Sequence, residues 1–151
     1  MDGRLSGVLT LARPAGIYRW RSRAHPNSVH REAAAAGWTV YPLDGRAVTG
    51  TEALFDRCAD LLSFPARFAH SWEAFADCMA DLSWLPGHGH VVLWDKYGVL
   101  ARQDPKSWQM AYQTLAAATT RRSVEDASLY VLLRGAGPLE RPDERAPIPV
   151  L

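Results

Sequence analysis

The sequence has few cysteines and no long apolar run, and each absence excludes a class of protein. Two cysteines, Cys58 and Cys78, are too few for a disulfide framework or a four-cysteine zinc site. No apolar stretch approaches the roughly 20 residues of a transmembrane helix, and residues 1–15 lack the apolar core of a secretory signal. We therefore expect a cytoplasmic protein whose two thiols stay reduced as small, buried hydrophobic groups.

The sequence also has almost no net charge, although its charges are unevenly distributed. The 17 basic and 16 acidic residues nearly cancel, and this balance argues against direct nucleic-acid binding, which usually needs a basic excess. Residues 1–35 contain six arginines and two acids, whereas residues 51–83 contain six acids and two arginines. The acidic segment can present an anionic face to a cationic partner, or it can be an ordinary solvated helix surface.

Recognisable catalytic and metal-binding motifs are missing from the sequence. There is no glycine-rich nucleotide-binding loop and no nucleophile elbow. His70 could act as a general base, but no nucleophile is evident near it. His88 and His90 could join Asp77 or Asp81 around a metal ion, although an exposed glycine-rich turn is the simpler interpretation of the two histidines.

Segments typical of strands and helices alternate along the chain. Apolar runs predict buried strands at residues 38–43, 91–94 and 129–133, and a short fourth strand at 17–20. Capping and breaking residues delimit predicted helices at 28–36, 51–62, 71–82 and from 104 to about 119. Strands joined through helices form parallel sheets. The pattern therefore predicts a small α/β domain with a three- to four-stranded parallel sheet and packed helices.

The composition divides the 151 residues into three regions. We expect residues 1–36 to be an N-terminal extension, with a short strand and a helix, packed on a domain formed by residues 37–134. Residues 135–151 contain repeated X-Pro steps. Because proline fixes φ and lacks an N–H group, we expect this segment to be an extended tail that neither coils nor pairs, and that is ordered only if it lies along the domain.

The predicted helix at residues 71–82 has an acidic stripe beside its apolar one. Glu73, Asp77 and Asp81 recur every four residues, and no lysine or arginine lies within residues 71–85. An acid–base pair of the glycosidase type would need carboxylates on both sides of a substrate. A stripe on one side of a helix is better suited to binding arginine or lysine on a partner.

The order and spacing of several landmarks resemble those of the barstar family of intracellular ribonuclease inhibitors. The resemblance covers about residues 38–134 and rests on Leu43-Asp44-Gly45, Phe64-Pro65, Phe68, Trp72-Glu73-Ala74 and Asp77-Cys78. It implies a small α/β fold with a parallel sheet, no cofactor, no metal and no catalytic residue. It also implies that the acidic helix and the loop before it block the active site of a ribonuclease.

The resemblance further implies which residues bind the partner. Asp77 would stand where the substrate phosphate lies, with Glu73 in support, and the surface would also include Arg67, Phe68, Ser71 and Asp81. The implied partner is a basic secreted ribonuclease or a toxin nuclease domain, which would make the chain an immunity protein. The chain departs from the family pattern at several contact positions, namely Arg67, Ala69, Ser71, Ala76 and Ala80.

A second hypothesis concerns the arginine-rich N-terminal segment. In an RNA-binding or regulatory module, Arg19-Trp20-Arg21-Ser22-Arg23 would stack on RNA bases and neutralise phosphates. The same alternation of arginine and aromatic residues also fits a solvent-exposed edge strand, which is the simpler interpretation.

Overall fold

A four-stranded parallel sheet forms the centre of the computed structural model, which describes residues 3–120 and 126–151. Its strands are β1 (Ile17–Arg19), β2 (Trp38–Asp44), β3 (Gly89–Asp95) and β4 (Ser128–Arg134). Their order is β1-β4-β3-β2, and every neighbouring pair is parallel. The predicted α/β fold with a small parallel sheet is therefore confirmed, with the short N-terminal strand at one edge.

Six α-helices surround the sheet within the described residues: α1 (Gly3–Leu9), α2 (Pro26–Ala35), α3 (Thr51–Leu61), α4 (Trp72–Asp81), α5 (Gly98–Gln103) and α6 (Pro105–Thr120). The four predicted helices agree with α2, α3, α4 and α6 to within two residues at each end. The sequence analysis missed α1 and α5, because seven and six residues are too few to establish a helical period. None of the helices described is long and apolar enough to cross a membrane.

The two faces of the sheet are covered by different parts of the chain. Helices α1 and α2 pack on one face, against Val91 and Leu93, whereas α3 to α6 pack on the other, against Val92 and Trp94. All four of these β3 residues are buried, as expected for a strand between two helical layers. The β1–β2 crossover runs across the sheet in the direction opposite to the later crossovers. Because crossovers between parallel strands are right-handed, the β1–β2 crossover, which contains α2, must lie on the face opposite to the one that the later crossovers cover.

A buried ion pair attaches the segment after β1 to the carboxyl ends of β3 and β4. The Nη2 atom of Arg134 donates to Oδ2 of Asp95 at 2.9 Å, and Nη1 donates to the carbonyl oxygens of Ser22 and Ala24 at 3.2 and 2.7 Å. Only 8% of Arg134 is exposed, and its guanidinium carbon lies 5.7 Å from the centre of the Trp20 ring. One side chain therefore holds the N-terminal segment to two strands.

The proline-rich C-terminal segment lies along the outer edge of β1. The Arg19 N–H donates to the Pro149 carbonyl at 2.8 Å, and the Leu151 N–H donates to the Arg19 carbonyl at 2.9 Å. Ile148 and Leu151 are both buried, one in each core. The prediction that this tail does not pair is wrong, because proline loses only its donor and its carbonyl still accepts. The β1 edge is consequently covered rather than open to solvent.

Both cysteines are free thiols, as predicted. Cys58 on α3 is buried, and this burial raises its pKa to about 12. Cys78 on α4 is only partly buried; its pKa is raised first by desolvation and then by the charges of Asp77 and Asp81. A raised pKa keeps a thiol protonated and unreactive near neutral pH.

Candidate functional site

A groove of about 270 Å³ lies between α4 and the segment of residues 62–71, hereafter the groove loop. Residues of the loop, of α4 and of the segment after it line this groove, including Pro65, Arg67, Phe68, Asp77, Cys78, Asp81 and Trp84. Four of the six predicted partner-binding residues are therefore brought together, namely Arg67, Phe68, Asp77 and Asp81. The other two, Ser71 and Glu73, lie at the start of α4.

Helix α4 is fixed at both ends and along its inner face. The Ser71 hydroxyl caps the start of the helix by accepting from the Ala74 N–H at 3.1 Å. Phe75 and Met79 are completely buried and direct this face of the helix into the core. Leu82 ends the helix in a left-handed conformation with φ of 50°. The acidic stripe consequently projects from a rigid element.

The carboxylates of this stripe are exposed, and at least two of them form no ion pair with a residue that the structure describes. Glu73, Asp77 and Asp81 are all exposed on α4. Within residues 3–120 and 126–151, no ion pair involves Glu73 or Asp77. Like charges four residues apart repel each other and slightly destabilise a helix. Exposed carboxylates such as those of Glu73 and Asp77 can form charge-assisted hydrogen bonds with a partner's arginine or lysine.

Aromatic packing positions the groove loop. The Phe68 ring lies 5.0 Å from the Phe64 ring and 5.9 Å from the Phe55 ring of α3, with near edge-to-face geometry in both pairs. The Trp84 Nε1–H donates to the Leu62 carbonyl at 2.8 Å and so ties the start of the loop to the segment after α4. Phe68, predicted as a contact residue, therefore lines the groove and also anchors the loop to the core.

His70, near the end of the groove loop, lies between two carboxylates of α3. Its Nδ1 atom is 2.7 Å from Oε2 of Glu52, and its Nε2 atom is 3.6 Å from Oδ1 of Asp56. The hydrogen bond with Glu52 is the largest cause that raises the pKa of His70 above its usual value, and the charges of Glu52 and Asp56 add to it. The spacing of Glu52 and Asp56 predicts a shared helix face, but nothing in the local sequence indicates that His70 meets them.

Potential metal ligands in the described part of the chain converge at one place. Glu52, Asp56 and His70 are all exposed, and their ligand atoms lie within 4.8 Å of one another. The interpretation of His88 and His90 as ligands is not supported, because His90 is only 1% exposed within β3. Neither histidine lines the groove that contains Asp77 and Asp81.

The N-terminal arginine segment lacks an available aromatic ring. Trp20 is only 3% exposed and packs beneath the Arg134 guanidinium. Arg21 and Arg23 are exposed, but the base stacking that the RNA-binding hypothesis assigned to Trp20 would require the ring to leave the core. The interpretation of β1 as a solvent-exposed edge is also wrong, because the C-terminal tail pairs with Arg19.

Comparison with known protein families places most of the sequence-predicted domain in one family. A family model described as Barstar (barnase inhibitor) matches residues 38–134, which is more than half of the chain. The matched region contains β2 to β4, α3 to α6 and the whole groove. Helices α1 and α2, strand β1 and the C-terminal tail lie outside it. No curated protein gives a significant match to the sequence.

Proposed function

The chain belongs to the barstar family, and we propose that it inhibits a ribonuclease by covering the nuclease active site with α4 and the groove loop. Members of this family are inhibitors rather than enzymes, so the activity to be explained is binding. The observation that supports this surface most directly is a pair of exposed carboxylates, Glu73 and Asp77, on a helix that is fixed at both ends. Neither carboxylate forms an ion pair with any residue that the structure describes.

The way in which proteins bind RNA phosphates explains why carboxylates suit this role. Proteins bind nucleic-acid phosphates mainly through arginine, lysine and other hydrogen-bond donors. A carboxylate that enters the phosphate-binding site of a ribonuclease meets the same donors and forms short, charge-assisted hydrogen bonds with them. Because α4 is already ordered, little conformational entropy is lost on binding. Asp77 lies at the centre of the stripe, one helical turn from both Glu73 and Asp81, and is therefore proposed as the main contact.

Arg67 gives the surface a mixed charge. It is exposed on the loop side of the groove, whereas Asp77 and Asp81 line the α4 side. A partner that fills the groove must offer cations to α4 and must accommodate a guanidinium at the loop edge. This arrangement favours a nuclease with an acidic or aromatic group beside its cationic active site.

We propose that residues 37–134 form the inhibitor domain and that residues 1–36 and 135–151 brace it. The partner would be a basic secreted ribonuclease or a toxin nuclease domain, against which the chain acts as an immunity protein in the cytoplasm. Two free cysteines, neither in a disulfide, are compatible with that reducing compartment.

Substitution of Asp77 provides the decisive test. Loss of one partner from a buried interfacial charge pair costs about 2–5 kcal/mol, a range that complexes of this family helped to define. We expect Asp77→Ala to raise the inhibition constant against a secreted ribonuclease of the same organism by roughly 30-fold to 4,000-fold. Glu73→Ala should have a smaller effect, and Asp81→Ala the smallest.

Glu32→Ala is a matched control for this test, because Glu32 is an exposed acid on α2, which covers the opposite face of the sheet. Circular dichroism should show the parent fold in all four variants. Raising the salt concentration should slow association more than it speeds dissociation. If Asp77→Ala inhibits as well as the parent, the binding surface lies elsewhere. A gel shift with RNA would then test the arginine-rich N-terminal segment.

A further inference from the structure

We infer that the partner-binding surface extends from α4 onto α6, and that a groove between these two helices receives an uncharged, apolar side chain of the nuclease. The inference rests on the proposed inhibitor function and adds a part of the interface that lies outside the six predicted contact residues. Most of those residues offer charge to a partner, whereas this groove selects the partner by shape and by the absence of charge.

The groove, hereafter the α6 groove, has a volume of about 230 Å³. Helices α4 and α6 pack against each other, and six residues of the two helices line the groove: Ala76, Ala80, Gln113, Thr114, Ala117 and Ala118. Its volume is smaller than the roughly 300–1,000 Å³ of sites for small molecules. The α6 groove is therefore better suited to one side chain of a partner protein than to a cofactor.

Helix α6 presents an outer face without charge. Residues 107–120 contain no aspartate, glutamate, lysine, arginine or histidine, although part of this stretch is open to solvent. Gln109 and Met110 are exposed, and Gln113 and Ala117 are half-buried. The solvent-facing side of a helix usually includes charged residues, whereas the core of a protein–protein interface is depleted in them. The outer face of α6 therefore has the composition of a contact surface.

The α6 groove adjoins the acidic stripe of α4. Ala76 lies three residues after Glu73, and Ala80 lies three residues after Asp77. Residues three apart are neighbours on the surface of a helix. The stripe is therefore bordered on one side by the α6 groove and on the other by the groove that the groove loop forms with α4.

The area that a stable complex buries requires a partner to cover more than the stripe. A helix of ten residues, such as α4, is about 15 Å long and 10 Å wide, whereas a specific interface covers about 800 Å² on each partner. A nuclease centred on Asp77 must therefore extend beyond α4 on both sides. It reaches the groove loop on one side and α6 on the other.

The lining of the α6 groove indicates which group the nuclease places there. Four of the six lining residues are alanines, which offer only methyl groups, and none of the six is charged. A lysine or arginine in this groove would lose its hydration without gaining a carboxylate, and the acidic stripe beside it is the better site for such a group. We therefore expect the nuclease to carry an aliphatic or aromatic side chain next to its cationic active site.

Paired substitutions of Ala117 test the α6 groove without a change on α4. Ala117 is half-buried, so a long side chain at this position can extend toward solvent in the free protein. Ala117→Lys and Ala117→Glu should each raise the inhibition constant roughly 10-fold to 100-fold, because each places a charge in a desolvated contact. If α6 acted on the nuclease only through long-range electrostatics, glutamate would instead strengthen binding to a basic partner.

Ala34→Lys and Ala34→Glu are the matched controls, because Ala34 is exposed on α2, which covers the opposite face of the sheet. These two variants should change the inhibition constant by less than about fivefold, as expected for exposed and screened charges. Circular dichroism and urea denaturation should show the parent fold in all four variants. An inhibition constant of Ala117→Glu that is no higher than that of Ala34→Glu would overturn the inference.

Methyl NMR on the unsubstituted chain tests the same contact directly. With the alanine methyl groups labelled, intermolecular nuclear Overhauser effects should connect Ala76, Ala80 or Ala117 to aliphatic or aromatic protons of a bound secreted ribonuclease of the same organism. The methyl group of Ala34 should show none. Absence of these effects at all three groove alanines, in a complex that Asp77→Ala weakens, would reject the α6 groove and leave the inhibitor function intact. If no ribonuclease binds the parent, the proposed function fails and this inference fails with it.

Discussion

The ion pair of Arg134 and Asp95 and the acidic stripe on α4 show two opposite uses of charge in one small domain. Arg134 is almost completely buried, and its guanidinium bonds to Asp95 and to two backbone carbonyls. Glu73 and Asp77 are exposed, and neither has an ion-pair partner among the described residues. A buried charge must be fully paired to be tolerated, whereas an exposed carboxylate stays solvated and remains available to a partner.

The two sites also differ in what they hold in place. Arg134, at the end of the family match, bonds to residues 22 and 24, which lie outside that match. The ion pair therefore joins the N-terminal extension to the sheet. Glu73 and Asp77 form no ion pair within the part of the chain that the structure describes, and α4 depends instead on its buried face and its cap. This difference predicts that substitutions at the first site reduce stability and that substitutions at the second reduce binding.

The largest expected effect on stability is that of Arg134→Ala. Removal of one partner from a buried ion pair typically lowers the free energy of unfolding by about 3–5 kcal/mol. We expect a loss at the lower end of this range, because 30% of the Asp95 side chain is exposed and partly solvated. Urea denaturation measures the loss, and Arg134→Lys, which keeps the charge but loses the bidentate geometry, should lose less. A loss below about 1 kcal/mol for Arg134→Ala would show that the pair is not structural.

A smaller effect on stability is expected for Ser71→Ala. The Ser71 hydroxyl satisfies the Ala74 N–H at the start of α4, and loss of such a cap costs about 1 kcal/mol. Ser71→Asp is the matched control, since aspartate caps helices equally well and should retain the parent stability. Thermal and urea unfolding of both variants measure the difference. Equal destabilisation by alanine and aspartate would mean that Ser71 acts through some contact other than the cap.

The smallest effect on stability is expected where the charges are exposed. Asp77→Asn and Glu73→Gln should each change the free energy of unfolding by less than about 0.5 kcal/mol. A slight gain is expected, because each substitution removes repulsion between acids one helical turn apart. Urea denaturation at low salt is the appropriate measurement, since salt screens the repulsion. A loss above about 1 kcal/mol for Asp77→Asn would assign this residue a structural role and remove the contrast with Arg134.

Much of the fold could be predicted from local patterns in the sequence. Continuous apolar runs predict β3 and β4, and Asp104 and Pro105 predict where α6 starts. The acidic stripe was also predictable, because residues four apart share one side of a helix whatever the rest of the fold does. Cys78 was expected to be a buried hydrophobic group, yet it lines the groove together with Trp84. Ala74, Cys78 and Asp81 are four and three residues apart, and this spacing could have placed Cys78 on the same face of α4 as the other two. Trp84 lies beyond the end of α4, so helical spacing makes no prediction for it.

The sequence by itself determined the alternation of strands and helices and the row of carboxylates on α4, because each depends on spacing over a few residues. The parallel sheet then follows from that alternation, because strands joined through helices run in the same direction. Only the tertiary structure decided which distant groups meet. His70 bonds to Glu52, which is 18 residues away, and Arg134 bonds to Ser22, which is 112 residues away. The C-terminal tail likewise finds β1 through the pairing of Val150 with Arg19. These contacts depend on how whole elements pack and on which buried or edge groups still require a partner, and no local period encodes either.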